Sequence, residues 1–262
     1  MTPTTGYAPI NGLNMYYEIH GSGRRLVLLH GGFMTIEGMG ALVPAFAETR
    51  QVIGIEQQGH GHTAGIDRPL TYEQMADDTA ALLRHIGIEY ADILGYSMGG
   101  GIALQLAIRH PELVRKLVNI SAHYSADALY PESRAAIQSI TPELFVGSPF
   151  EADYQRVAPN PADFPALVVK MMELETQDYT WPIELIKAPM LIIIGDSDGI
   201  SAERAGEMFR KVGGGVQGDL AGLPASQLAV LPGTHHLGLL GRTEWIVAMT
   251  VPFLDAPLPE AP

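Results

Sequence analysis

Short runs that are apolar on both faces recur along this chain, separated by stretches with helical spacing, and this alternation most narrows the fold. Leu26–Leu29, Gln51–Ile55, Ala91–Tyr96, Leu117–Ser121 and Pro189–Gly195 read as interior strands of a sheet covered on both sides. Between the second and third of them, Met75, Ala76, Thr79, Leu82, Leu83 and Ile86 fall at helical spacing, opened by Thr71 and closed by Gly87. Further helices are expected over Gly100–His110, stopped by Pro111, over Ser201–Val212 and over Thr243–Leu254, with Gln227–Leu231 as the last strand. Near the start, Tyr7–Ile10 and Leu13–His20 flank Asn11-Gly12, the strongest two-residue hairpin signal. The pattern predicts an α/β fold with a mostly parallel sheet flanked by helices, whose functional residues belong at the carboxyl ends of strands.

The alternation breaks once. Tyr124 to Lys187 carries prolines from Pro131 to Pro165, followed by helical stretches rich in Met, Leu and aromatics. We read it as a small helical cap inserted after a central strand: residues 1–123 form the first part of the core, 124–187 the cap and 188–262 the second part of the core. The glycine-rich stretch from Gly213 to Gly222 reads as a surface loop, and the tail from Pro257 as frayed. At 262 residues the chain is long enough to bury one large core.

A formal net charge of −13, with no basic stripe to offset it, excludes a nucleic-acid surface and disfavours anionic membranes. No apolar stretch approaches the ~20 residues needed to span a bilayer. Zero cysteines excludes disulfides, thiolate catalysis and thiolate-bound metal. The first residues, to Tyr17, lack a basic segment followed by a long apolar run, so no secretory signal is expected and a cytoplasmic location is the default. Nothing in the sequence fixes an oligomeric state.

Chemistry concentrates where the apolar run Ala91–Tyr96 ends in Gly95-Tyr96-Ser97-Met98-Gly99 and then in helix. A hydroxyl nucleophile must stand clear of the backbone at a strand end, and the sharp turn that lifts it leaves no room for side chains at the flanking positions, hence glycine. The first free N–H groups of the following helix, beginning with Met98, point at whatever that hydroxyl attacks. Serine catalysis also needs an imidazole to take the proton and a carboxylate to orient it. The candidates are the acids of Gly195-Asp196-Ser197-Asp198 and the bases of Thr234-His235-His236, each following an apolar strand.

With these motifs in the order Ser, Asp, His, the chain resembles α/β-hydrolase-fold serine hydrolases of carboxylesterase type. The resemblance implies that Asp198 is the acid and His236 the base of Ser97, with Asp196 and His235 as alternatives. It implies an oxyanion loop at His30-Gly31-Gly32-Phe33, in which the N–H of Gly32 joins that of Met98, with Phe33 the alternative donor. His30 is then a structural hydrogen-bonding residue of that loop. Where the family commonly carries Asp-x-Arg before a Gly-x-Gly turn, this chain has Glu56-Gln57-Gln58, which removes the family's arginine. The Gly59-His60-Gly61-His62 turn is neither a dinucleotide fingerprint, since Gly65 and Pro69 break any helix that would follow, nor a complete metal-ligand set.

The expected function is a hydrolase that needs no cofactor and no metal and acts on small-molecule carboxylic esters of small to medium size. Phe33, Met34, Phe145, Met171, Met172 and Trp181 are the expected substrate-binding residues, as an apolar pocket. A lactonase, a C–C bond hydrolase or a perhydrolase would share the same three catalytic residue types, and a ligand-binding receptor of the same fold is the reading from a different class. Haloalkane dehalogenases and epoxide hydrolases of this fold carry Asp at the turn, which Ser97 argues against.

Overall fold

The computed structural model describes residues 2–259. Eight strands, β1 (Thr4–Ile10), β2 (Leu13–Gly21), β3 (Arg24–Leu29), β4 (Arg50–Ile55), β5 (Ala91–Tyr96), β6 (Val114–Ile120), β7 (Met190–Gly195) and β8 (Gln227–Leu231), form one sheet in the order β1-β2-β4-β3-β5-β6-β7-β8. β1 and β2 pair antiparallel through the expected Asn11-Gly12 turn, and β2 pairs antiparallel with β4. All other neighbours run parallel.

Among the described residues nine α-helices accompany the strands: α1 (Leu42–Ala47), α2 (Tyr72–His85), α3 (Met98–Arg109), α4 (Pro131–Gln138), α5 (Pro149–Val157), α6 (Phe164–Glu175), α7 (Ala202–Lys211), α8 (Gly218–Ala221) and, after the last strand, α9 (Thr243–Asp255). The helix on the Met75–Ile86 pattern is capped as its sequence requires. Thr71 Oγ1 accepts from Gln74 N at 3.1 Å, and Gly87 leaves the helix at φ 74°. Several boundaries differ from expectation, with β1 beginning at Thr4 rather than Tyr7 and β6 running from Val114 to Ile120 rather than from Leu117 to Ser121. α3 begins at Met98 rather than Gly100, because the turn at Ser97 leads straight into it, and α8 forms a single turn inside the stretch read as loop. The tail expectation from Pro257 falls partly on residues 260–262, which lie outside the described residues.

Strand side chains alternate between two cores. Val27, Leu29, Ile93, Leu117 and Ile192 face one, with α2 and α3. Leu26, Leu28, Leu94, Val118, Ile120, Leu191 and Ile193 face the other, with α1 and α9. Strands buried on both faces are mostly apolar, with Asp92 in β5 and Lys116 and Asn119 in β6 among the buried exceptions, which is why the runs read as nearly continuous. Each such side chain contributes about 1.5–3 kcal/mol relative to exposure.

The parallel register aligns the strand ends that carry function. Leu29 lies opposite Gly95, Tyr96 opposite Ile120, Ile120 opposite Ile193, and Gly195 opposite Leu231. The loops after β3, β5, β6, β7 and β8 therefore open on one edge of the sheet. Over that edge runs the segment between β6 and β7, which contains α4, α5 and α6.

Candidate active site

Ser97 stands at the tightest point of the chain, at φ 54° and ψ −121°, a left-handed backbone that few non-glycine residues adopt. Its N–H donates to Ile120 O at 2.9 Å, so the neighbouring strand holds the turn. The flanking glycines are sterically required: a Cβ on Gly95 would overlap the Gly99 carbonyl, and one on Gly99 would overlap the carbonyl oxygens of Leu29 and His30. That close approach also presses the loop after β3 against the turn.

Ser97 Oγ lies 3.0 Å from His236 Nε2, and His236 Nδ1 lies 3.2 Å from Asp198 Oδ1. Of the alternatives, Asp196 accepts the N–H groups of Gly233 and Thr234 at 2.9 and 3.1 Å, tying the histidine loop to the end of β7. His235 is exposed and accepts the Gly238 N–H at 3.3 Å. The geometry thus brings Asp198 and His236, rather than Asp196 and His235, to Ser97. Tyr96 braces the imidazole from behind: the rings stack with centroids 5.3 Å apart, and Tyr96 Oη donates to His236 O at 3.1 Å.

A fourth residue, not singled out in the sequence, joins them. Ser121, just past β6, donates from Oγ to Asp198 Oδ2 at 2.5 Å and lies 2.6 Å from His236 Nδ1, nearer to that nitrogen than the carboxylate is. Its own φ is 52°, a second left-handed serine at a strand end. With its proton on Asp198, the hydroxyl oxygen accepts from the Nδ1–H of His236, leaving Nε2 free to accept from Ser97. The available signal was a polar residue ending a buried strand beside the nucleophile strand. Burial of Asp198 opposes its ionisation, but His236, the Ser121 hydroxyl and the Gly199 N–H outweigh that and hold its pKa below the ordinary value.

The loop after β3 is set by His30, whose Nδ1 lies 2.8 Å from Gly31 O and whose Nε2 accepts the Gln57 N–H at 3.2 Å. That pattern requires a neutral ring with the proton on Nδ1, and burial lowers its pKa accordingly. Phe33 is left-handed at φ 63°. Among the described residues, the N–H groups of Gly32, Phe33 and Met98 have no intramolecular acceptor. Where the family arginine is missing, Gln58 Oε1 accepts from Arg68 Nε at 2.7 Å, and Arg68 also pairs with Asp78. His60 and His62 diverge: His60 packs against the His30 ring, whereas His62 pairs with Glu56 at 2.9 Å and stacks on Tyr16.

A cavity of about 410 Å³ opens at Ser97, His236 and Ser121. Its far wall comes from the segment between β6 and β7, through Leu129, Ile137, Glu175 and Tyr179, with Tyr72 from the core. The six expected substrate-binding residues lie outside this lining. Phe33 and Phe145 pack together at 4.7 Å, with Phe164 and Phe150 around them. Met34 is buried near Gly31, and Met171 is buried and so close to Gly32 that a Cβ there would meet its Cε at 2.7 Å. Met172 borders a separate groove on the far side of α6. Trp181 backs the cavity, stacked on Tyr179 at 4.2 Å. Long apolar side chains of the insertion close its own packing first, a priority that composition does not reveal.

Comparison with known proteins agrees with this architecture. Residues 24–138 match the family described as alpha/beta hydrolase fold. A pimeloyl-[acyl-carrier protein] methyl ester esterase of Neisseria meningitidis is 29% identical over 266 aligned positions, covering 90% of this chain and 78% of that protein. Among solved structures, the enol-lactonase from Burkholderia xenovorans superposes with a TM-score of 0.71 at 21% identity, covering 95% of this chain and 100% of that one. The carboxylesterase CesB from Bacillus subtilis gives 0.72 at 16% identity, covering 98% and 93%. With its eight-stranded, mostly parallel sheet and the match over residues 24–138, the chain has the α/β-hydrolase fold.

Proposed function

We propose that this hydrolase cleaves carboxylic esters of small to medium size through an acyl-enzyme on Ser97. The observation that carries the reading is the hydrogen-bonded line from Ser97 Oγ through His236 to Asp198, with its open end in the cavity. In the proposed reaction His236 Nε2 takes the Ser97 proton as Oγ attacks the carbonyl carbon, and Asp198 and Ser121 hold the imidazolium that forms. The N–H groups of Met98 and Gly32 face the developing oxyanion, with Phe33 the alternative to Gly32. His236 then protonates the leaving alcohol. Water, deprotonated by the same imidazole, attacks the acyl carbon and releases the acid and free Ser97. No step calls for a cofactor or a metal.

The esterase relative supports ester chemistry, and the cavity volume supports a modest substrate. The segment between β6 and β7 acts as the cap that sets which ester enters. Among the described residues no helix is long and apolar enough to cross a membrane, in keeping with a small-molecule ester as substrate. The test is turnover of p-nitrophenyl acetate and butyrate by the wild type and by Ser97→Ala. Hydrolysis that disappears in the variant supports the assignment, and undiminished hydrolysis overturns it.

A further inference from the structure

Glu175 is the one carboxyl group in the cavity wall that the proposed reaction does not use. It ends α6, where helix carbonyls already concentrate negative potential, and the last turn of α6 carries no basic residue to balance it. Tyr72 Oη donates to Oε1 at 2.9 Å, a bond suited to a carboxylate acceptor, whereas Oε2 makes no hydrogen bond within the described residues. No lysine or arginine lines the cavity, and the only side chains in its wall that can carry positive charge are His123, His235 and His236. Burial dominates and raises the Glu175 pKa, against the Tyr72 hydroxyl and the charge His236 can carry, so an incoming cation is what would favour the ionised carboxylate. A carboxyl placed at the unfavourable end of a helix, enclosed, and bonded on one oxygen only is costly to folding and is suited to an incoming positive charge.

The surroundings have the same preference. Tyr179 stacks on Trp181, and Tyr72 meets the same indole edge-on at 5.1 Å and 72°, so the rings beside Glu175 form an ordered aromatic wall. Aromatic faces attract cations, most strongly where water is excluded. The chain's net charge of −13 raises the local concentration of cations over anions.

We propose that the cavity selects esters carrying an ammonium group, which Glu175 Oε2 accepts while the Tyr72 and Tyr179 rings flank it. The proposal rests on the cavity being the substrate pocket of the reaction above, and it assigns the substrate class.

The direct test is calorimetric binding of two neutral-pH probes of matched shape, phenethylammonium and phenethyl alcohol. One charge-assisted hydrogen bond in an enclosed site predicts that the wild type binds the ammonium about tenfold more tightly. In Glu175→Gln, an isosteric change that leaves an acceptor but no charge, that ratio falls to near one. In Tyr72→Phe it falls part of the way. Equal affinities in the wild type, or an unchanged ratio in Glu175→Gln, overturn the proposal, and the wild-type comparison decides it even if a variant folds poorly. Turnover of p-nitrophenyl butyrate and of the 2-(dimethylamino)ethyl ester of butyric acid, which is protonated at neutral pH, is measured alongside. Absent turnover of both esters with the ammonium preference intact would sink the esterase reading and leave the binding site standing, whereas turnover without the preference would sink only the binding site.

Discussion

Replacing Ser121 with alanine removes one hydroxyl from the charge relay and nothing else of size. Asp198 Oδ2 then loses its hydroxyl donor at 2.5 Å, while Oδ1 keeps the Gly199 N–H at 2.7 Å and His236 at 3.2 Å. A hydrogen bond to a charged group contributes about 1.5–3 kcal/mol, which sets an upper bound of about 10–100-fold on the rate. Because the carboxylate retains two donors, the lower end applies, and kcat should fall about tenfold with KM little changed. The pH dependence supplies a second readout. The Asp198 pKa is depressed, so its contribution to stability is present above the unfolded value and is lost as pH falls through the folded one. Removing Ser121 lifts the folded pKa toward the ordinary carboxylate value, so the acid limb of stability should move to higher pH. Ser121→Gly is the control. It loses the same hydroxyl but relieves the left-handed φ of 52°, for which a residue with a Cβ gives up about 1–2 kcal/mol. It should match Ser121→Ala in activity and exceed it in melting temperature. Wild-type kcat and an unmoved acid limb in Ser121→Ala would refute the reasoning.

Asp198→Asn should lower kcat about ten-thousandfold, since an amide cannot hold the imidazole in the required tautomer or stabilise its charge. Asp196→Asn keeps an oxygen for one of the two N–H groups, Gly233 and Thr234, that bond to its separate oxygens, and lies away from Ser97, so it should lose far less, a contrast that kcat measured on p-nitrophenyl butyrate reads directly. Gly99→Ala forces a Cβ into the Leu29 and His30 carbonyls and should destabilise by about 3 kcal/mol in urea unfolding. Gly206→Ala, inside α7, where a Cβ would meet only Arg210 Nη1 at an ordinary 3.7 Å, should stabilise by about 0.5–1 kcal/mol in the same assay.

The strands and their order along the chain are legible because a strand buried on both faces is close to continuously apolar, as Leu26–Leu29 and Met190–Gly195 are. The positions of Ser97, Asp198 and His236 are legible for a related reason. Ser97 and Asp198 follow such strands, His236 follows the half-exposed last strand, and parallel neighbours in register carry their following loops to one edge. Ser121 meets the same criterion, yet a serine after a strand is common and only the register of β6 between β5 and β7 distinguishes it. The cavity wall is written differently. Glu175 and Tyr179 reach Ser97 through the way α6 and the chain after it fold back over the sheet, and no local periodicity encodes that path. Phe33, Phe145 and Phe164 have the composition of a pocket but pack on one another, because aromatic side chains satisfy each other before they wait for a ligand.

The most direct test of the central claim is labelling with an alkyl fluorophosphonate followed by peptide mass spectrometry. The phosphorus mimics the attacked carbonyl, so a nucleophile activated by His236 should displace fluoride and retain the phosphonyl group. The expected result is one adduct per chain on the peptide containing Ser97, loss of p-nitrophenyl butyrate turnover in step with labelling, and no adduct in Ser97→Ala. An adduct on another residue, or a fully labelled protein that still turns over the ester, would contradict it.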